Sequence, residues 1–326
     1  MYEDERKAAS EIVAEVCRLT RRVQGGIVAT GDAVTKGDRS PVTVADLATQ
    51  VVVSRRLAER FPGDPLLAEE DSAVVSGDAE TARRVLAEVR LHLADATAAG
   101  VVAALDRGDH AGGGRYWVLD PIDGTKGFLR GDQYAVALAL VDNGRVVVGA
   151  LGCPNLDLGI GGGPGCLLTA ARGGGTRVRA LDRSTEAEAL VDGIDDPAQA
   201  VLCESVEAAH AAHSVQAAIA ARLGITARPY RIDSQCKYAV VAAGRASIYL
   251  RLPRDTSYRE KAWDHAAGSI VVEEAGGRVT DLDGRDLDFT AGRLLGNGHG
   301  IVCTNGTIHD RVLAACREEL RDHIAR

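Results

Sequence analysis

The segment YWVLDPIDGTKGFLRG runs from Tyr116 to Gly131. An apolar run, Tyr116-Trp117-Val118-Leu119, drives into two carboxylates, Asp120 and Asp123, and then into a glycine-rich turn. It reads as a buried strand that delivers an acid at its end. Pro121 stiffens the turn, and the carbonyl of Ile122 offers one more oxygen, so Asp-Pro-Ile-Asp aims its carboxylates at a single point. Oxygen ligands with no His or Cys among them favour hard cations such as Mg²⁺. Gly124 and Thr125 can then present backbone N–H groups and a hydroxyl to a phosphate, more so if a helix begins there. Singly, an acid at a strand end or an Asp-Gly turn is ordinary; the segment as a whole is not.

Further acids stand at the ends of other expected elements: Asp46, the cluster Glu69-Glu70-Asp71, and Asp264. Two divalent ions about 4 Å apart can hold both the attacking and the leaving oxygen of a phosphoryl transfer.

The surrounding periodicity predicts helices over 3–24, from the Val42–Asp46 stretch to about Arg60, and over 79–96, with a short strand at Leu66–Ala68. Residues 134–154 read as two strands joined at Asp142-Asn143-Gly144, a hairpin signal. The Gly-rich stretch Leu158–Gly165 reads as a flexible loop marking the passage to a second half. That half alternates strands (166–170, 200–203, 246–252, 300–305) with helices (206–223, 264–275, 307–324). The expected division is an N-terminal α+β part, 1–155, holding most metal ligands, and a C-terminal α/β part, 156–326, that completes the site and binds the substrate.

Composition narrows the class. The chain has 326 residues, a formal net charge of −8, 46% hydrophobic and 4% aromatic residues. Ala, Val, Leu and Gly must build the core through many small contacts. The acidic balance argues against a nucleic-acid-coating protein but not against a small anionic substrate, because metal ions override the global sign locally. The seven cysteines show no CxxC spacing, which suggests neither a disulfide framework nor a zinc site. With no membrane-length apolar run and no signal-peptide core at the N-terminus, the expectation is a cytoplasmic protein. The Gly161–Gly163 and Gly173–Gly175 runs lack the GK[ST] of a P-loop.

LAEEDS at Leu67–Ser72, DPIDGTKGFLRGDQYAVAL at Asp120–Leu138 and WDHAAGSIVVEEAGG at Trp263–Gly277 resemble the signatures of the inositol monophosphatase superfamily. The form DPIDGTKGFLRG is similar to that of the 3′(2′),5′-bisphosphate nucleotidase branch, as are SPVTVAD at Ser40–Asp46, RIDSQCKYAVVAAGRASIYLR at Arg231–Arg251 and YREKAWDH at Tyr258–His265. The likeness spans nearly the whole chain. It implies an α/β (α+β) fold, a layered αβαβα sandwich, and lithium-sensitive, Mg²⁺-dependent phosphatase chemistry by a monomer.

The resemblance also implies roles. Glu69, Asp120 and the Ile122 carbonyl would hold one metal, Asp120, Asp123 and Asp264 a second, with a weaker third ion near Glu69. Asp46 and Thr43 would position or activate water, Thr125 would touch that water and the scissile phosphate, and Glu70 would be the outer acid. Gly124, Thr125, His210, Ser234, Lys237 and Arg251 would bind the substrate, with Lys237 and Arg251 gripping the phosphate that is not cleaved. One His among carboxylates, His265, reads as structural. The chain departs from the branch at Ala208 and Ala211, where glycine and serine are usual, beside the expected nucleotide pocket. The favoured substrate is adenosine 3′(2′),5′-bisphosphate. The alternative is a pathway-specific phosphatase acting on a modified nucleoside 5′-phosphate, followed by an inositol phosphatase and by a silent nucleotide or metal sensor.

Overall fold

A computed structural model describes residues 1–30, 40–206, 213–253, 258–297 and 299–324. Its centre is a seven-stranded sheet in chain order: β1 (Leu66–Ala68), β2 (Arg115–Asp123), β3 (Ala135–Asp142), β4 (Arg145–Cys153), β5 (Cys166–Ala171), β6 (Thr176–Ala180) and β7 (Ala187–Ala189). A five-stranded sheet follows: β8 (Leu202–Glu204), β9 (Tyr230–Arg231), β10 (Ile248–Arg251), β11 (Arg278–Thr280) and β12 (Ile301–Thr304), in the order β11-β12-β10-β8-β9.

Helices fill three layers. On one face of the large sheet lie α1 (Glu3–Thr30) and α2 (Ser40–Arg60), with α3 (Ala73–Gly77), α4 (Ala79–Arg90) and α5 (Ala98–Asp106) near α2. The short helix α6 (Thr125–Leu129) follows β2. Later come α7 (His213–Arg222), α8 (Cys236–Ala242), α9 (Ala266–Glu274) and α10 (His309–Ile324). Of these, α8 and α9 lie between the two sheets, and α7 and α10 cover the outer face of the second. This is the expected αβαβα sandwich.

Strand alternation accounts for the sorting. Trp117, Leu119, Val136 and Leu138 turn toward α1 and α2, whereas Tyr116, Val118, Ala135 and Ala137 turn toward α8 and α9. The middle layer is built from small residues, so its helices approach the sheet closely. A Cβ added at Gly149 of β4 would lie 2.5 Å from Ile270 Cγ2 and 2.9 Å from the Ala267 carbonyl on α9. On the opposite face, one added at Gly152 would lie 2.4 Å from Cys17 Sγ on α1.

Several expected boundaries move. The helix expected over 79–96 stops at Arg90, where the chain leaves α4 at Leu91, and α5, capped by Thr97 through the Gly100 N–H, begins beyond the expected range. The expected passage near residue 155 falls inside the first sheet: the loop containing Leu158–Gly165 joins β4 to β5, and Arg21 of α1 ties it down by donating to the carbonyls of Pro154 and Pro164. The change of sheet comes between Ala189 and Leu202. The hairpin at Asn143-Gly144 is as expected, with φ of 50° and 79° at the two turn residues. Among the described residues, no helix is long and apolar enough to cross a membrane.

Replacing Gly149 by Ala forces a methyl against the backbone of α9, where no side-chain rotation relieves it. The expected cost is about 1–3 kcal/mol, read as a lower urea midpoint with an unchanged slope. An unaltered midpoint would show that the layer spacing is not set at this glycine.

Candidate active site

The acids meet because of strand register. β1 pairs parallel with β2, Ala68 opposite Leu119. The next residues on the two strands are Glu69 and Asp120, so both carboxylates leave the same edge of the sheet. A bulge then separates Asp120, opposite Ala137, from Asp123, opposite Ala135. The extra residue re-aims the strand end, which is how two acids spaced three apart serve one centre. Ile122 packs its side chain with Ala45, Phe128 and Tyr134, fixing the bulge against α2 and α6. Gly124 follows with φ of 92°, where a Cβ would also lie 2.8 Å from that of Ser234.

The remaining acids come from other layers. Thr43 and Asp46 lie three apart on α2, on one helix face, and Asp46 is buried. Glu70 is held by its backbone: its N–H donates to Gln50 Oε1 at 3.1 Å and its carbonyl accepts from Gln50 Nε2 at 2.7 Å. Asp264 precedes α9 across the seam. Its distance from Asp123 is governed by Gln235, a residue 2% exposed, whose backbone N–H donates to Asp123 Oδ2. The side chain of Gln235 donates to the Trp263 carbonyl at 2.9 Å and accepts from the Gly268 N–H at 3.1 Å.

This crowding shows in the protonation equilibria. Burial, then Glu69, Asp123, Asp264 and Asp46, push Asp120 well above the usual carboxylate range. Burial, then Glu70 and Glu69, do the same to Asp46. Glu69 keeps an exposed edge at the cleft mouth, yet burial of the rest, with Glu70, Asp264 and Asp123, raises it to about 7, eased by a hydrogen bond with Asp120. Asp123 rises to about 6 through burial and Asp264, opposed by Lys237, the Gln235 N–H and Arg251. Glu70 is raised by burial and Asp71.

The donor set fits a hard divalent cation. Asp120 is 2% exposed, and its Oδ1 has no hydrogen-bond partner. A buried carboxylate oxygen left unpaired among other acids is costly, and a cation coordinated there would remove that cost. Glu260, Asp264 and His265 also place ligand atoms within 4.8 Å of one another. Most of that trio's hydrogen-bonding capacity is used internally, although Glu260 Oε1 has no partner. Arg251 donates to Glu260 at 2.7 Å and to Asp264 at 2.9 Å, and the His265 ring lies between Glu260 Oε2 at 3.1 Å and the Tyr238 hydroxyl at 2.8 Å. His265 is therefore part of a buried hydrogen-bonded chain, in line with the structural role expected of it.

Beside the acids opens a cavity of about 390 Å³, within the range of small-molecule sites, lined by Asp123, Gly124, Thr125, Lys126, Gly127, Ser205, Gln216, Asp233, Ser234, Gln235, Lys237, Tyr249, Leu250, Arg251, Leu252, Tyr258, Glu260 and Asp264. The expected substrate residues Gly124, Thr125, Ser234, Lys237 and Arg251 all face it; His210 lies outside the described residues. Ser234 has φ of 64°, and its Oγ accepts from the Cys236 N–H at 3.2 Å. Lys237 is 6% exposed, its Nζ 3.3 Å from Ser205 Oγ and 5.3 Å from the centre of the Tyr249 ring. Burial lowers its pKa, against the pull of Asp123 and Asp233. Burial also opposes the charge on Arg251, but Tyr249, Asp264 and Glu260 outweigh it and keep the guanidinium protonated.

Sequence reading missed Gln235 and Glu260, although both lie inside quoted segments, SQCKY and YREKAWDH. Their role is to hold other residues, which pairings distant in sequence decide.

A layered sandwich with an oxygen-only acidic cleft opening on a cation-lined cavity belongs to the class of phosphoric monoester hydrolases. The chain is a member of the inositol monophosphatase family, whose model matches residues 2–321. It is 44% identical to a 3′(2′),5′-bisphosphate nucleotidase of Oryza sativa, with 98% of this chain and 96% of the relative covered. It is 41% identical to one of Emericella nidulans, covering 98% and 99%. Among solved structures, Mycobacterium tuberculosis SuhB superposes with a TM-score of 0.63 at 24% identity, over 97% of this chain and 96% of that one.

The raised carboxylates have a consequence for stability. A carboxyl whose folded pKa exceeds its unfolded value favours the folded state while protonated, and that contribution is lost as pH rises through the folded pKa. For Glu69 the window runs from its ordinary 4.5 to about 7, and for Asp123 from 3.8 to about 6. Protein stripped of divalent cations is expected to lose melting temperature between about pH 4 and about pH 7, and added Mg²⁺ to restore far more at the upper pH than at the lower. Equal Mg²⁺ stabilisation at both would mean that these acids do not receive the cation.

Proposed function

We propose that the protein is a Mg²⁺-dependent phosphomonoesterase that removes the 3′- or 2′-phosphate of adenosine 3′(2′),5′-bisphosphate, leaving AMP and phosphate. The observation that carries this reading is the juxtaposition at one cavity of carboxylates, Asp123 and Asp264, with cations, Lys237 and Arg251. An acidic wall alone would repel a bisphosphate. With cations bound at one end and fixed basic side chains at the other, each phosphate has its own partner.

Glu69, Asp120, the Ile122 carbonyl, Asp123 and Asp264 would hold two Mg²⁺ ions, with Glu69 near a weaker third. When bound, the ions supply water activation and charge neutralisation. The chain's own residues do the rest. Thr43 and Asp46, on one face of α2, orient the water and take up its proton. Thr125, beginning α6 after Gly124, offers its hydroxyl and N–H to the scissile phosphate. Glu70, pinned through Gln50, is the outer acid. Lys237 and Arg251 grip the phosphate that stays, with Ser234 and His210 completing the nucleotide contacts. The reading extends to a monomer acting in the cytoplasm, and the seven free, buried cysteines suit a reducing compartment.

The test is phosphate release with Mg²⁺ from adenosine 3′,5′- and 2′,5′-bisphosphate, inositol 1-phosphate and AMP, compared as kcat/KM. The bisphosphates are expected to lead clearly, with AMP untouched and turnover suppressed by millimolar Li⁺. Asp120→Asn is expected to lower kcat on the order of 10³-fold. Turnover of inositol 1-phosphate at or above the bisphosphate rate would reject the nucleotidase reading, and full activity in Asp120→Asn would reject the site.

A further inference from the structure

Arg251 joins two acids that differ in setting. Its Nε lies 2.7 Å from Glu260 Oε2, and its Nη2 donates to Asp264 Oδ2 at 2.9 Å and to the Tyr258 hydroxyl at 3.0 Å. The Glu260 side is buried and locked. Glu260 is 2% exposed and His265 fully buried. Because a carboxylate only accepts, His265 Nε2 must donate to Glu260, leaving Nδ1 to accept from the Tyr238 hydroxyl. The ring thus satisfies both neighbours while neutral. The Asp264 side is part-exposed and faces the cavity. A guanidinium held by one edge on a buried anchor can exchange what its other edge binds.

We propose that Arg251 is an exchangeable counterion: in the empty site it neutralises Asp264, and an anionic group entering the cavity draws the Nη2 edge away, freeing Asp264 for a divalent cation. Glu260, backed by His265 and Tyr238, is then a positioning residue that keeps Arg251 within reach of both. Cation and anion would bind cooperatively without any movement of the backbone, because each removes the partner that the other needs removed. By linkage the effect is reciprocal: the cation must raise anion affinity by the same factor. The identity of the anion, a nucleotide 5′-phosphate, rests on the nucleotidase reading; the exchange between Arg251 and a cation at Asp264 does not.

Binding of Mn²⁺, followed by electron paramagnetic resonance, tests this with and without AMP. Without AMP, Arg251→Met is expected to bind the weakest-held Mn²⁺ about tenfold tighter than the parent protein. Lys237→Met removes one positive charge from the same cavity but no hydrogen bond to Asp264, and should tighten binding far less. Saturating AMP should tighten Mn²⁺ in the parent by a similar factor and leave Arg251→Met unmoved. If Arg251→Met fails to fold, Arg251→Lys keeps the charge but cannot bridge both acids, and tighter binding is still expected. Equal tightening in the Arg251→Met and Lys237→Met variants would reduce the effect to general charge. Weaker or unchanged Mn²⁺ binding in Arg251→Lys would also overturn the proposal. Should adenosine bisphosphate prove not to be a substrate and AMP have no effect, the nucleotidase reading fails, and the AMP-free comparison still decides the exchange.

Discussion

Mutual repulsion among buried carboxylates is the constraint around which the structure is arranged. Asp46 and Asp120 are nearly inaccessible to water, and Glu69, Asp123 and Asp264 stand close enough to shift one another or their neighbours. A flexible chain would separate them. Here each is set on an element whose position is decided elsewhere: Glu69 and Asp120 by a parallel strand pair, Asp46 by a helix packed on the sheet, Asp264 by the start of α9. The apolar layers offset the electrostatic cost.

Much of this was legible in the sequence. The strand entering Asp120, the Asn143-Gly144 hairpin and the closing helix follow from local pattern. That carboxylates would gather at element ends was legible, since Asp120-Pro-Ile-Asp123 already supplies a pair, whereas the roles given to each acid rest on the resemblance. What stayed hidden depends on pairing. Nothing local marks the one-residue bulge between Asp120 and Asp123, since its signature is the offset against Ala137 and Ala135 on another strand. The early end of the helix expected over 79–96 was masked by apolar residues, Leu93 and Ala96, that bury themselves outside any helix. A glycine-rich stretch suggested a boundary near residue 155, but register continues through it, because Cys153 pairs with Cys166 across the loop.

The division of labour between the two faces of the cavity also emerges only in three dimensions. The acids come mainly from β1, β2 and α2, and the cations Lys237 and Arg251 from α8 and β10 of the second half. Gln235 and Glu260 each fix a member of one set, Asp123 and Arg251 respectively. Gln235 ties Asp123 to the residues around Asp264, and Glu260 orients the cation beside Asp264. Sequence inspection favours groups that can act on a substrate. Residues that fix where those groups stand carry no chemical signature of their own.

The seam between the large sheet and α9 has a mechanical meaning. Gly149 meets Ala267 and Ile270 there, and Gly268 meets the Tyr238 ring, where even one added Cβ would lie 2.2 Å from a ring carbon. An added Cβ at either glycine would run into the repulsive wall of the interatomic potential, and protein interiors so packed compress little. Close packing of α9 against the sheet and α8 thereby backs up the Gln235 tie that sets Asp264 relative to Asp123. The width of the charged cleft is held by this packing, as in a vice whose jaws are shimmed.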